Sequence, residues 1–235
     1  MATSNFETAN TSAWTGNAGY MHPGVDFDHG DGAAPLRFRA LRTARDRQAI
    51  ASLRRHAAFG VEQDLGLGLV PFEQARDEIG LVTAVYRDSR PVATLRVVPT
   101  GHRLTGAERL LDTIDFDESI LGKGSWEVGR VIMEPEDRHP ELLQQSLALM
   151  LDEVMQLEDV RHFHATTTLA MARLWRRVGM RTVFTTTGTS GTKYSLVHGT
   201  VDAVAAALQL SRKSPGDVPT QLAMRGVPAQ HALHA

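Results

Sequence analysis

The stretch Trp126-Glu127-Val128-Gly129-Arg130-Val131-Ile132-Met133, followed by Glu134-Pro135, decides how this chain reads. It has the apolar content of a buried strand, yet it carries a carboxylate and a guanidinium three positions apart. Burying ionisable groups costs on the order of several kcal/mol unless they are paired or used. A second interrupted run, Val92-Ala93-Thr94-Leu95-Arg96-Val97-Val98-Pro99-Thr100, adds another Arg to an apolar strand. Together they predict a polar cleft built on a sheet, with Glu127 as the candidate base.

Outward from these strands the pattern is regular. Leu36 to Leu41 alternates apolar and basic residues, as a half-exposed first strand should. Thr43 can cap a helix over 44–59, with Ile50, Leu53 and Ala57 along one side. The Gly-interrupted segment Asp64 to Leu69 has no strand before it and makes no phosphate loop. A short helix over 72–79 leads into a strand over 81–87, and Asp88-Ser89 turns the chain back into the strand 91–99 as an antiparallel hairpin. Residues 100–124 read as a polar connection. After the strand 125–133, Pro140 opens a helix to about 157 with Leu143, Leu147, Met150, Leu151 and Val154 as its buried stripe. A strand over 159–165, a helix over 169–178 stopped by Gly179, strands over 181–187 and 192–198, and a helix over 201–210 complete the body. This order predicts a mixed α/β layer, neither a repeat nor a doubly wound sheet.

Composition narrows the function classes. At 235 residues, with 42% hydrophobic and 22% charged, the chain can bury a full core. A formal charge of −2 gives no reason to expect nucleic acid. No run approaches the ~18 apolar residues of a membrane span, and MATSNFETAN lacks the regions of a secretory signal, so a cytoplasmic protein is expected. With no Cys there is no disulfide, thiolate nucleophile or Cys-ligated zinc. Residues 1–35 are expected to form a flexible leader, 36–211 the folded domain and 212–235 a flexible tail. Acidic and His residues in the leader follow no metal-ligand spacing, and no metal site is expected.

The element order, with the block Leu169-Ala170-Met171-Ala172-Arg173-Leu174-Trp175-Arg176-Arg177-Val178-Gly179-Met180, resembles the GNAT acyltransferase fold: a central mixed, mostly antiparallel sheet flanked by helices. Two branches look closer than ordinary acetyltransferases, the acyl-homoserine lactone (autoinducer) synthases and the N-acyl amino acid synthases. Leu95 to Thr100 is similar to the Arg-Leu-Leu-Pro-Thr strand of the lactone synthases, and Trp126 to Arg130 to their Glu-Ser-Arg strand, with Gly129 in place of the Ser. Arg54, Phe59, Glu62 and Asp64 lie loosely on the N-terminal pattern of those enzymes, whose Trp is missing. The departure favours an amino acid or another small amine as acceptor. Acetyl-CoA enzymes usually follow the fourth strand with a Gly-rich loop that cradles the pyrophosphate. Here that place reads Arg138-His139-Pro140-Glu141, without glycine. The resemblance therefore implies acyl-phosphopantetheine on an acyl carrier protein as donor, with acyl-CoA as the alternative. It also implies transfer of a fatty acyl chain to an amino group. A CoA-dependent acetyltransferase and a non-catalytic acyl-binding module are the competing readings.

Such a transfer needs a neutral amine, a polarised thioester carbonyl and a stabilised oxyanion. Glu127 is the candidate base. In a regular pleat Glu127, Gly129 and Val131 share one face while Arg130 points the other way, and only a bulge near Gly129 or Val131 brings Arg130 back to Glu127. Arg96 is expected to orient an acceptor carboxylate, with an ion-pair network as the competing role. The amides of Ile132 and Met133 are expected to hold the thioester. His164, with His162 and Thr166 on its face of the strand, is a second base candidate, and Thr166 a substrate hydrogen-bonder. Trp175 stands where ordinary acetyltransferases often place a Tyr acid, and it has no proton to give a thiolate. With Val131, Met133, Phe163, Leu174, Met180 and Phe184 it forms core and, in the functional reading, an acyl wall. Arg173, Arg176, Arg177 and Arg181 form a basic cluster, either a solvated helix face or a dock for an acidic carrier protein.

Overall fold

The computed structural model describes residues 36–55, 57, 60–114, 124–138, 140–157 and 160–209. The expected leader and tail, Phe59 and most of the acidic part of the 100–124 connection lie outside these residues. Seven strands form one sheet: β1 Leu36–Ala40, β2 Leu81–Arg87, β3 Arg90–Pro99, β4 Ser125–Met133, β5 His162–Thr168, β6 Arg181–Thr187 and β7 Lys193–Thr200. Their order is β1-β2-β3-β4-β5-β7-β6. Neighbours are antiparallel except β4 and β5, which run parallel. The exception follows from the connection. A parallel pair needs a crossover, and the helix α6, Pro140–Leu157, supplies it over 18 residues.

The helices divide between the two faces. On one face, α6, α7 (Leu169–Arg177) and α8 (Val201–Ala207) pack on Leu95, Val97, Trp126, Val128 and Phe163 to form the main core. On the other lie α1 (Ala44–Arg47), α2 (Ala51–Arg55), α3 (Gly60–Asp64), α4 (Glu73–Ile79) and α5 (Gly106–Leu111). There Ile50 and Leu53 bury against Val82 and Ala84, and Ala107, Leu110 and Leu111 against Leu196. These polar-flanked helices are short, and their apolar clusters are correspondingly small.

Several boundaries differ from expectation, each for a local reason. The single helix expected over 44–59 is two short helices joined by a 3-10 turn at Gln48–Ile50. Thr43 does cap it, in a reciprocal box with Asp46. The strand expected over 159–165 is shifted to His162–Thr168, because the β-branched Thr166 to Thr168 continue the ladder with β7. The polar connection contains α5, started by a second capping box between Thr105 and Glu108. Both Glu108 oxygens are engaged, one by the amide and hydroxyl of Thr105 and the other by the amides of Gly101 and Arg103.

Candidate functional site

The site begins with a break in the sheet. β4 and β5 pair only at Ser125–His162, Trp126–Phe163 and Glu127–His164, and from Val128 onward they part. On its other side β4 carries a bulge: Thr94 is opposite Ile132 and Arg96 opposite Gly129, so β4 spends three residues where β3 spends two. Arg130 occupies the extra place at φ +49°, in the left-handed region. The bulge, adjacent to Gly129, turns Arg130 back to the face of Glu127. A regular pleat would have placed it among the core residues of α6 and α7.

On that face the charged groups form a buried network. The Arg76 guanidinium, on α4, donates to Glu127 Oε1 at 3.1 Å and to Glu62 Oε1 at 2.5 Å. Arg96 Nη1 lies 2.9 Å from Glu73 Oε2 and 3.0 Å from Asp77 Oδ1. Arg130 Nε lies 2.7 Å from Glu73 Oε1, and Arg54 pairs with Asp77. Four guanidiniums (Arg54, Arg76, Arg96, Arg130) thus meet four carboxylates (Glu62, Glu73, Asp77, Glu127) one for one, with Arg47 Nε a further 3.9 Å from Asp77 at the rim. Balance is what permits such burial, since an unpaired ion there would carry the whole desolvation cost.

Glu127 has a second support. Its Oε2 accepts the Ala107 amide at 2.9 Å, at the start of α5. A Cβ on Gly106 would sit 3.1 Å from that oxygen and 3.3 Å from Thr166 Oγ1, so the absence of a side chain there leaves the carboxylate its place. Burial pushes the Glu127 carboxyl up from the ordinary carboxylate range, against the opposing pull of Arg76 and of the Gly106 and Ala107 amides. A carboxylate offers about four lone-pair positions. The contacts from Arg76, Ala107 and Gly106 use three of them, so Glu127 retains capacity to accept a proton.

Where the strands part, a cavity of about 400 Å³ crosses the sheet. Glu62, Arg76, Gly106, Glu127, Gly129, Arg130 and Thr166 line its polar side, and Val128, Ala165, Met171 and Trp175 its apolar side. Tyr194 of β7 forms part of the wall, and a clasp secures the hairpin that carries it. Asp64, at the end of α3, accepts the Ser190 amide at 2.6 Å, the Ser190 hydroxyl at 2.6 Å and the Thr189 hydroxyl at 2.9 Å. The Ser190 hydroxyl and amide, foremost, hold the Asp64 carboxyl down at about 2.

The expected site residues are distributed unevenly about this cavity. Glu127, Arg130, Ile132, Thr166 and Trp175 line it; Arg96, Met133 and His164 do not. Arg96 is wholly buried between Glu73 and Asp77, so its charge is spent on the network and the expected grip on an acceptor carboxylate is corrected to an ion-pair role. The amides also need correction. Glu134 N–H donates to Val92 O on the β3 side, and strand amides alternate in direction. Ile132 N–H therefore points to β3 as well, while the Met133 N–H points to the open side. The Ile132 amide is thus turned away from the opening, toward β3. His164 is fully buried below the opening, opposite Glu127 in the ladder. Burial, reinforced by His198 and His162, lowers its pKa to about 3, so it is a neutral ring away from the cavity, not a second base. His162 Nδ1 and His198 Nε2 lie 3.2 Å apart. Among the described residues no group of three or more His, Cys, Asp or Glu could hold a metal.

Arg76, Glu73, Asp77 and the Ala107 amide escaped the sequence reading. The signal for the last was present: Thr105 and Glu108 have capping-box spacing. For α4, Glu73-Gln74-Ala75-Arg76-Asp77-Glu78 reads as a solvated helix, and only partners far away in sequence reveal that Arg76 and Asp77 face inward.

No family model matches the sequence, and no curated protein matches it. Solved structures do. The acyl-homoserine lactone synthase LasI superposes with a TM-score of 0.60 at 12% identity, over 77% of this chain and 99% of that one. FeeM, an N-acyl amino acid synthase from uncultured soil microbes, gives 0.57 at 10% identity, over 73% and 94%. A proposed N-acetyltransferase from Lactobacillus plantarum gives 0.51 at 18% identity, over 71% and 98%. Among the described residues no helix is long and apolar enough to cross a membrane. The chain has a GNAT-like fold, of the kind found in these acyltransferases.

Proposed function

We propose that the protein is an N-acyltransferase that moves a fatty acyl chain from a carrier-protein thioester to the amino group of an amino acid or similar small amine. One observation carries this reading: the cavity at the parting of β4 and β5 joins a proton-accepting carboxylate, Glu127, to an apolar wall. An amine is protonated at neutral pH and must lose a proton to attack, and a carboxyl raised by burial suits that task. The nitrogen attacks the thioester carbon from the polar side. A β4 amide on the open side receives the oxyanion, the C–S bond breaks as the amide forms, and the proton shed by the nitrogen passes to the departing sulfur, releasing the phosphopantetheine thiol. Arg130, on the cavity wall beside Glu73, orients the acceptor.

The donor assignment rests on the ground before α6. Pro140 has no amide to offer a pyrophosphate, and Glu141 and Glu136 are exposed acids. Asp137 is buried and holds Arg87 at 2.6 Å and Arg90 at 2.9 Å, and Arg138 Nε donates to the Met133 carbonyl at 3.2 Å. A phosphopantetheine arm without the nucleotide half avoids this ground. Arg173, Arg176, Arg177 and Arg181 are all exposed, and in this reading they dock the acidic carrier.

The test is a panel of amines with acyl-carrier-protein and acyl-CoA donors, scored by thiol release and by mass spectrometry of the amide. Thiol release with a matching amide from carrier-bound donors is expected. Turnover of acetyl-CoA alone would instead establish the CoA-dependent alternative, and turnover of no donor despite saturable acyl binding would establish a binding module.

A further inference from the structure

We propose that the Trp175 indole is the stop against which the acyl chain ends, and so the residue that sets chain length; this rests on the acyl-transfer reading above. Trp175 is 3% exposed and stands on α7 at the apolar end of the main cavity. Behind it lies a second void of about 10 Å³, between Trp175, Leu147, Leu151, Phe163, Met180 and Val204. That space is at the lower limit of what one water fills and has only apolar walls, so it stays dry.

Trp175 and Val128 are the two residues that wall both spaces. Val128 belongs to β4 and cannot move without the sheet. Trp175 is therefore the partition: its ring closes the route from the thioester into the interior between α6, α7 and α8. Removing the ring joins the small void to the cavity and lengthens the apolar path toward Leu151 and Met180. Each additional methylene that finds this path is removed from water, which favours the longer donor by about fourfold.

The experiment measures kcat/KM for an even-carbon series of carrier-bound donors, from acetyl to palmitoyl, with wild type and Trp175→Ala. Wild type is expected to peak at one length and to fall by roughly tenfold or more for the next longer donors, whose added methylenes find no apolar space. Trp175→Ala should move the peak to longer donors, and Leu151→Phe added to it should refill the space and move the peak back. If Trp175→Ala does not fold, Trp175→Leu and Trp175→Phe give graded versions of the same shift. A cut-off that none of these variants moves overturns the inference and leaves the acyl-transfer reading standing. A wild type that turns over no donor removes that reading, and the inference falls with it.

Discussion

Replacing Arg76 by Met is the sharpest test of how the site is held. The side chain is 2% exposed and its guanidinium serves two carboxylates, Glu127 at 3.1 Å and Glu62 at 2.5 Å. Methionine keeps most of the packing volume and removes the charge. Breaking a buried ion pair costs about 3–5 kcal/mol, because the partner is left charged and unsolvated. The two partners do not suffer equally. The Glu62 side chain is 17% exposed and can turn to water, whereas that of Glu127 is 5% exposed and cannot. The loss should therefore fall near 3 kcal/mol at about pH 7, or roughly 6–12 °C in Tm for a chain of this size. The pH dependence identifies the cause. Burial already raises the Glu127 carboxyl, and loss of Arg76 raises it further. A raised native pKa means stability that is complete below the unfolded value, near 4.3, and lost as pH rises through the native value. The deficit of Arg76→Met should thus shrink on acidification from neutral toward about pH 5. Denaturant melts of both proteins across that range measure it. A variant within ~1 kcal/mol of wild type at neutral pH, with no gain on acidification, would refute the charge-balance account of the network.

Glu127→Gln should keep the fold and lower kcat by about 10² or more, and it should abolish the acid limb of the kcat/KM profile. That limb arises because the base must be ionised, so wild-type activity falls as pH drops through the raised Glu127 value; an unchanged limb in the variant would assign it to another group. His164 has a lowered native pKa, about 3, with neither ring nitrogen hydrogen-bonded to a described residue. Its contribution is present above the unfolded value of about 6.5 and is lost as pH falls, at up to about 1.4 kcal/mol per pH unit. His164→Leu should flatten that slope in acid denaturation, and an unaltered slope would show that the ring protonates without cost. Asp64→Ala should release the β6–β7 turn selectively. The Ser190 amide, held by the carboxylate, should exchange faster, while the Thr189 amide, held by the Asp64 backbone carbonyl at 2.9 Å, should change less. Equal protection at both would mean that the clasp is not what orders the turn.

The sheet was legible because strand periodicity and turn residues are local: Asp88-Ser89 between two apolar runs suffices for the β2–β3 hairpin. The relation of Glu127 to Arg130 was only half legible. Alternation states what a regular strand does, and Gly129 marks where a bulge is cheap. Whether the bulge forms depends on pairing with β3, which is a tertiary fact. Arg96 shows the limit in another way. An Arg in an apolar run announces a buried charge, but not whether its partner is a ligand or a side chain. Here the partners come from α4, and the residue pattern of one short charged helix looks the same whether it faces water or Arg96.

The three ladder pairs that join β4 to β5 make this sheet two half-sheets sharing a short hinge. Strands β1 to β4 form one jaw, and β5, β7 and β6 form the other with α7 and its Trp175. Beyond the hinge no ladder hydrogen bond joins the jaws, and what ties them there is the Asp64 clasp on the β6–β7 turn and the packing of α5 on Leu196. Glu127 sits in the last hinge pair, at the pivot. The carboxylate is thus fixed by the ladder while the walls beyond it are set by side-chain contacts, so reshaping one end of the site need not loosen the other.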